Sequence, residues 1–272
     1  MRSAITVSLV PEARGGPFVF WDDLEGALRS AANLGFDAIE IFPRSAGELP
    51  ARLPELLREH NLKLAALGSG AGWVVQKLRL TDPSAEIRAR AVQFAAEIID
   101  LAGSLDAPAI IGSMQGRWEG GISREQALDW LAEALGQLAP RAEKFKQPLL
   151  LEPLNRYETN VLSSTENSLA FLDTLQVKNV KLLCDLFHMN IEDSDIAAAL
   201  RAAGPRLGHL HFADSNRRAV GLGHTDIAPV VEALRSIHYT GYISGEILPW
   251  PDSLGAARQT IESYRRWFGP KS

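Results

Sequence analysis

The sequence predicts an α/β chain closed into a (β/α)8 barrel, the TIM-barrel architecture, with residues 1–272 as one domain. Three observations carry this prediction. Short apolar runs alternate with longer segments of helical apolar spacing. There are eight of each, in strict alternation, which calls for parallel strands joined by crossover helices. The chain has 272 residues, close to the usual size of one such barrel. The rival is a doubly wound open sheet, but no glycine-rich dinucleotide fingerprint follows the first run.

Run 4–10 reads Ala-Ile-Thr-Val-Ser-Leu-Val, a strand entering a helix over 22–34. Strand 37–42 leads to helix 50–60, and strand 62–67 leads to helix 84–102. That third helix places Ile87, Ala91, Phe94, Ala95, Ile98 and Leu101 on one face. Its expected entry is Asp82 as N-cap, with Pro83 at the first helical position. Strand 108–112 precedes helix 123–144, whose Ser123 and Gln126 have capping-box spacing. Strands 148–152, 180–185, 207–212 and 241–247 alternate with helices 165–174, 194–203, 226–236 and 254–268. Gly68-Ser69-Gly70-Ala71-Gly72 is read as a flexible loop after the third strand. No linker or repeat divides the chain.

Composition narrows the function classes. Hydrophobic residues are 46% and charged residues 22%, enough for a large core without staples. The single cysteine, Cys184, excludes an intramolecular disulfide and a cysteine zinc cluster. No basic leader with an apolar core is visible and no run reaches membrane-span length, so a cytoplasmic protein with no membrane partner is expected. The net charge of −5 gives no bulk support to a nucleic-acid partner.

The chemistry lies at the ends of the last four strands. These are Glu152, Asp185, His211 and Glu246. In a barrel of this kind, strand carboxyl ends converge on one mouth. Three acids and a histidine there would repel and desolvate one another unless a cation sat among them. The alternative is four unrelated polar strand ends in an open mouth. Three oxygen donors and one nitrogen suit one divalent cation. Manganese is the expected ion, with magnesium, cobalt or zinc as alternatives.

Around these positions, Glu152-Pro153-Leu154-Asn155-Arg156-Tyr157-Glu158, Asp185-Leu186-Phe187-His188-Met189-Asn190 and His211-Phe212-Ala213-Asp214-Ser215-Asn216-Arg217 form extended motifs. They resemble the xylose-isomerase-like sugar epimerase superfamily. The likeness is greatest to the D-tagatose and D-psicose 3-epimerase and 5-keto-L-gluconate (L-ketose) epimerase group. It spans nearly the whole chain and includes Gly68-Ser69-Gly70 and Gly221-Leu222-Gly223-His224.

The resemblance implies that Glu152, Asp185, His211 and Glu246 are metal ligands, and that Glu152 and Glu246 are also the catalytic acid–base pair. It implies that Glu158, His188 and Arg217 hold substrate oxygens. Trp73, Met114 and Trp250 are candidates for the substrate's far end. The implied reaction is epimerisation of a free ketose or keto sugar acid. A proton is abstracted beside the carbonyl through a metal-stabilised ene-diolate. Glu152 and Glu246 stand three strands apart around the ring, which places them on opposing sides of a ligand. Arg217 is weighed against a surface salt bridge, Glu158 against a solvated surface acid, and His188 against a carbonyl-capping loop histidine. His209 points the same way as His211 but one layer deeper. Cys184 points to the helix layer. Glu40 is either a support for the site or a structural group, and His224 is set aside as a loop residue.

Hydroxypyruvate isomerase and inosose isomerase or dehydratase are the nearer rivals. A sugar-binding barrel without catalysis is another, though binding alone needs no pair of bases. A zinc-dependent abasic-site endonuclease of the same barrel is remote, since it needs histidines from strands 2 and 3 and the only early histidine is His60. The sugar itself stays open. Arg14, Arg44, Gln115 and Arg117 lie in loops that could meet an acidic sugar end. A homo-oligomer, dimer or tetramer, is the family expectation.

Overall fold

A computed structural model describes residues 1–269. Eight parallel strands form the barrel: β1 (Arg2–Ser8), β2 (Ala38–Phe42), β3 (Lys63–Gly68), β4 (Ala109–Ile111), β5 (Leu149–Leu151), β6 (Val180–Asp185), β7 (Leu207–His211) and β8 (Tyr242–Gly245). They pair in chain order, and β8 returns to β1 to close the ring. A two-residue strand, Phe20–Trp21, adds to β1 outside the ring.

Strand alternation sorts the core into two layers. Phe42, Ala66, Ile110, Leu150 and Leu183 pack together inside the barrel. Leu182, Cys184, Leu210 and Ile243 face outward, into the large cluster shared with the helices. The main helices are Leu24–Leu34, Leu53–Glu59, Ala85–Ser104, Arg124–Glu143, Thr165–Thr174, Ile196–Ala203, Ile227–Ser236 and Ser253–Phe268. Side chains of Asp23, Ser123, Ser164, Asp195, Asp226 and Asp252 cap their first amides.

Two local expectations change. The third main helix is capped by Ser84, whose hydroxyl accepts from Ile87 N at 3.5 Å. Asp82 instead accepts from Ser84 N at 2.9 Å, so it shapes the approach rather than the cap. Two short helices, Ala71–Val74 and Leu186–Glu192, stand where loops were expected. Their few residues are too short for a helical period to show. Among the described residues no helix is long and apolar enough to cross a membrane.

One irregularity positions the site. Between β6 and β7 the register shifts at Leu182/Leu183, so that Asp185 pairs with His211. Without the shift Asp185 would stand beside Leu210, which points outward. The bulge therefore turns the acid and the imidazole to the same, inner face.

Candidate active site

The structure brings Glu152, Asp185, His211 and Glu246 together at the carboxyl ends of β5 to β8. His211 Nδ1 lies 3.4 Å from Glu152 Oε1, 3.4 Å from Asp185 Oδ2 and 3.4 Å from Glu246 Oε2. All four residues are buried. Neither His211 Nδ1 nor Glu152 Oε1 has a hydrogen-bond partner. Buried polar atoms are rarely left so, and a divalent cation between a nitrogen lone pair and three carboxylates would satisfy them. The donor set fits such a cation.

The other face of His211 explains why Nδ1 is free. Glu40, on β2, is fully buried. Its Oε1 lies 2.9 Å from His211 Nε2 and its Oε2 lies 2.7 Å from His209 Nε2. Burial opposes ionisation of Glu40, but the two imidazoles outweigh it and hold its carboxyl well below the usual range. An ionised carboxylate only accepts, so each Nε2 carries the hydrogen. Burial opposes a charge on His211, but Glu246, Glu40, Asp185 and Glu152 raise its pKa well above the ordinary value, so a cation at Nδ1 would displace a proton there and take the lone pair that faces the three acids.

The acids differ in character. Burial pushes Glu152 up to about 8, helped by Glu246 and Asp185 and opposed by His211. Burial also works on Asp185, yet the Arg217 guanidinium beside it holds it well below the ordinary carboxylate range. Asp185 Oδ1 also caps the short helix after β6 by accepting from Phe187 N at 2.8 Å. Gly112 leaves room for Glu152, since a Cβ there would lie 2.6 Å from Glu152 Oε2.

The three residues expected to hold substrate also reach this cavity. His188 lies on the helix Leu186–Glu192, not on a loop. Burial lowers its pKa to about 3, so its ring is neutral. Asn155 Nδ2 lies 2.7 Å from His188 Nδ1, and Asn155 N donates to the same atom at 3.3 Å. These donors make Nδ1 the acceptor and leave an N–H on Nε2, which lies 3.8 Å from Asp185 Oδ2 and 3.9 Å from Glu152 Oε1. Arg217 is buried, not a surface ion pair. It donates to Asp185 Oδ2 at 2.6 Å and to Glu246 Oε2, and stacks over Phe187. Glu158 is half-exposed at the rim and accepts from Asn155 Nδ2 at 2.8 Å.

Asp214 holds the loop that carries Arg217. Its carboxylate accepts from the amides of Ser215, Gly221, Gly223 and Thr225 at 2.8 to 3.0 Å. Arg217 itself adopts φ +61°, a conformation that a side chain-bearing residue keeps only when its surroundings impose it. Asn155 and Asp214 both sit inside the motifs quoted above, and that was their only sequence signal. Val10, Phe18, Phe42, Val74, Ile110 and Leu154 line the apolar wall. Met114 is fully buried and packs toward Gly72 instead. Trp250 is exposed beneath Arg218 and does not line the cavity. The His224 amide donates to Ser215 Oγ at 3.0 Å within the loop after β7, and the residue lines a separate groove.

Residues 28–267 match the family model described as xylose isomerase-like TIM barrel. The chain is 34% identical over 223 residues to an L-ribulose 3-epimerase of Methylomonas sp. (strain DH-1), covering 81% of this chain and 77% of that protein. It is 31% identical over 262 residues to a D-psicose 3-epimerase of Agrobacterium fabrum, covering 94% and 86%. The solved structure of a Methylomonas sp. D-allulose 3-epimerase in complex with D-allulose superimposes with a TM-score of 0.82 at 28% identity, covering 98% of each chain.

Proposed function

Because the chain belongs to the xylose isomerase-like TIM barrel family and is an isomerase of the epimerase kind, we propose that it epimerises a ketose or keto sugar acid at the carbon beside the carbonyl, with Glu152 and Glu246 moving the proton. One observation carries this reading. Two glutamates flank a buried, unpartnered His211 Nδ1 at 3.4 Å each, and both face the cavity.

Glu152, Asp185, His211 and Glu246 would hold one divalent cation, for which we favour manganese. When bound, it supplies Lewis-acid stabilisation of negative charge on the substrate oxygens. The chain's own residues do the rest. One glutamate removes the proton from the carbon beside the ketone. The other, protonated, returns a proton to the opposite face, which inverts that carbon. The burial that pushes the Glu152 carboxyl up to about 8 makes its carboxylate a stronger base for a carbon-bound proton. His188 offers its Nε2 hydrogen to a substrate oxygen. Arg217 has five N–H donors, and those not spent on Asp185 and Glu246 can serve a second oxygen. Glu158 accepts from a hydroxyl at the rim. The apolar wall keeps bulk water from the carbanion-like carbon.

The test is incubation with manganese and a panel of ketoses and keto sugar acids in deuterium oxide. We expect one deuterium at the carbon beside the carbonyl, in a product inverted there. No exchange into any member of the panel would overturn the reading.

A further inference from the structure

Beyond the four strand ends, the cavity opens into an outer groove. The two share Ala13, Pro17, Phe18, Val74, Ser113 and Glu158. The groove adds Trp73, Tyr157 and three arginines, Arg14, Arg79 and Arg117. These arginines are not equivalent. Arg14 is paired with Asp22, and Arg79 with Asp82 at 2.7 Å and with Glu119. Nearby Arg44 is held by Glu12 at 2.8 Å and by Glu48. Deeper in, Arg217 is committed to Asp185 and Glu246. Arg117 is half-buried and makes no ion pair among the described residues.

Its backbone, by contrast, is held on several sides. Thr81 Oγ1 donates to Gln115 O at 2.9 Å, and Thr159 Oγ1 donates to Gly116 O at 2.8 Å. Trp118 N donates to Asn160 Oδ1 at 2.9 Å. Gly116 has φ +84°, and a Cβ there would lie 2.4 Å from Thr81 Oγ1, so the turn closes only around glycine. Gln115 Nε2 donates to the carbonyl of Glu152 at 2.9 Å. The turn that presents Arg117 is therefore bonded to the strand end that presents Glu152. The fold fixes the backbone that carries this uncommitted guanidinium relative to the reacting end of the cavity.

We propose that Arg117 receives a carboxylate at the end of the substrate remote from its ketone, so that the preferred substrate is a keto sugar acid rather than a neutral ketose. This rests on the epimerase reading above. A partly desolvated guanidinium with no internal partner binds a carboxylate through paired, charge-assisted hydrogen bonds. A neutral hydroxymethyl group offers it neither charge nor matching geometry.

The experiment has two arms on the manganese-loaded enzyme, wild type against R117A and R117K. In the first, kcat/KM is compared for a six-carbon keto acid, the neutral ketohexose of the same configuration and its terminal phosphate ester. Wild type should favour the keto acid. R117A should lose about 10- to 100-fold on it, the usual worth of a hydrogen bond to a charged group. The neutral ketose should change less than about twofold. R117K should recover part of the loss, since it restores charge without the planar fork. In the second arm, calorimetry compares binding of a hexonate, which has no ketone to react, with that of the matching hexitol. The hexonate should bind tighter to wild type and no tighter to R117A. This arm answers even if turnover is absent, so failure of the epimerase reading stays distinguishable. Equal losses on acid and neutral sugar, a preference for the phosphate ester, or unchanged hexonate binding in R117A would each overturn the proposal.

Discussion

Replacing Glu40 with glutamine should weaken divalent-metal binding without touching a ligand. The carboxylate of Glu40 meets two imidazoles, at 2.7 Å and 2.9 Å, in a fully buried position. A glutamine has one acceptor and one donor at that end. It can satisfy His211 or His209, but not both in their present tautomers. If the amide oxygen turns to His209, its NH2 group faces His211 Nε2 and drives the ring hydrogen to Nδ1, the atom that points at the three acids. If it turns to His211, the hydrogen bond survives but loses its charge. Loss of one charge-assisted bond is worth about 1.5–3 kcal/mol. At about 1.4 kcal/mol per tenfold, that is roughly a 10- to 100-fold loss of metal affinity, the range found when partners of metal-bound histidines are removed. Manganese titration followed by the electron paramagnetic resonance of the free ion reads this directly. Thermal unfolding of the metal-free proteins checks that E40Q still folds, and His209→Gln, which keeps the Glu40–His211 contact, should lose less. Affinity in E40Q within about twofold of wild type would refute the reasoning.

Other consequences follow from the same geometry. Gly112→Ala would drive a Cβ to 2.6 Å from Glu152 Oε2; the displaced carboxylate should cut kcat by about tenfold or more, and unchanged kcat would show that Glu152 needs no such room. Glu152 carries a pKa raised by burial to about 8, so metal binding below that pH must expel its proton. Metal affinity should therefore climb as pH rises through about 8, the raised pKa of His211 adding to the climb, and calorimetry in buffers of different ionisation enthalpy should detect the released protons; a flat profile from pH 6 to 8 would contradict this. Cys184 is buried and its thiol is pushed far above the ordinary range by that burial. It should resist an aromatic disulfide reagent at about pH 8 until the protein is unfolded, and prompt reaction of the native protein would count against its placement.

The barrel was legible because its signal is repeated. Short apolar runs and 3.6-residue spacing recur around the ring, and each unit supports the reading of the next. The four strand-end groups were visible for the same reason, since each closes an apolar run. Glu40 was not resolved from sequence. It stands 171 residues from His211, and only closure of the ring brings β2 opposite β7. The register shift at Leu182/Leu183, which aligns Asp185 with His211, likewise leaves no mark in composition. Met114 and Trp250 failed as substrate contacts because size and polarity do not tell which way a loop side chain turns. Of the four loop residues weighed for an acidic sugar end, Arg14 and Arg44 are neutralised by nearby acids, and Gln115 is buried in support of Glu152. Pairing across loops decided among them, and pairing is invisible before folding.

The central claim is that Glu152 and Glu246 act from opposite faces of one reacting carbon. The direct measurement is deuterium exchange into each of the two epimers by Glu152→Gln and Glu246→Gln, at manganese concentrations that saturate each variant. Both variants should fail to interconvert the epimers. Each should still exchange label into one epimer only, the one whose hydrogen faces the glutamate that remains, and the two variants should label opposite epimers. Interconversion by either variant at near wild-type rate, or labelling of the same epimer by both, would contradict the account.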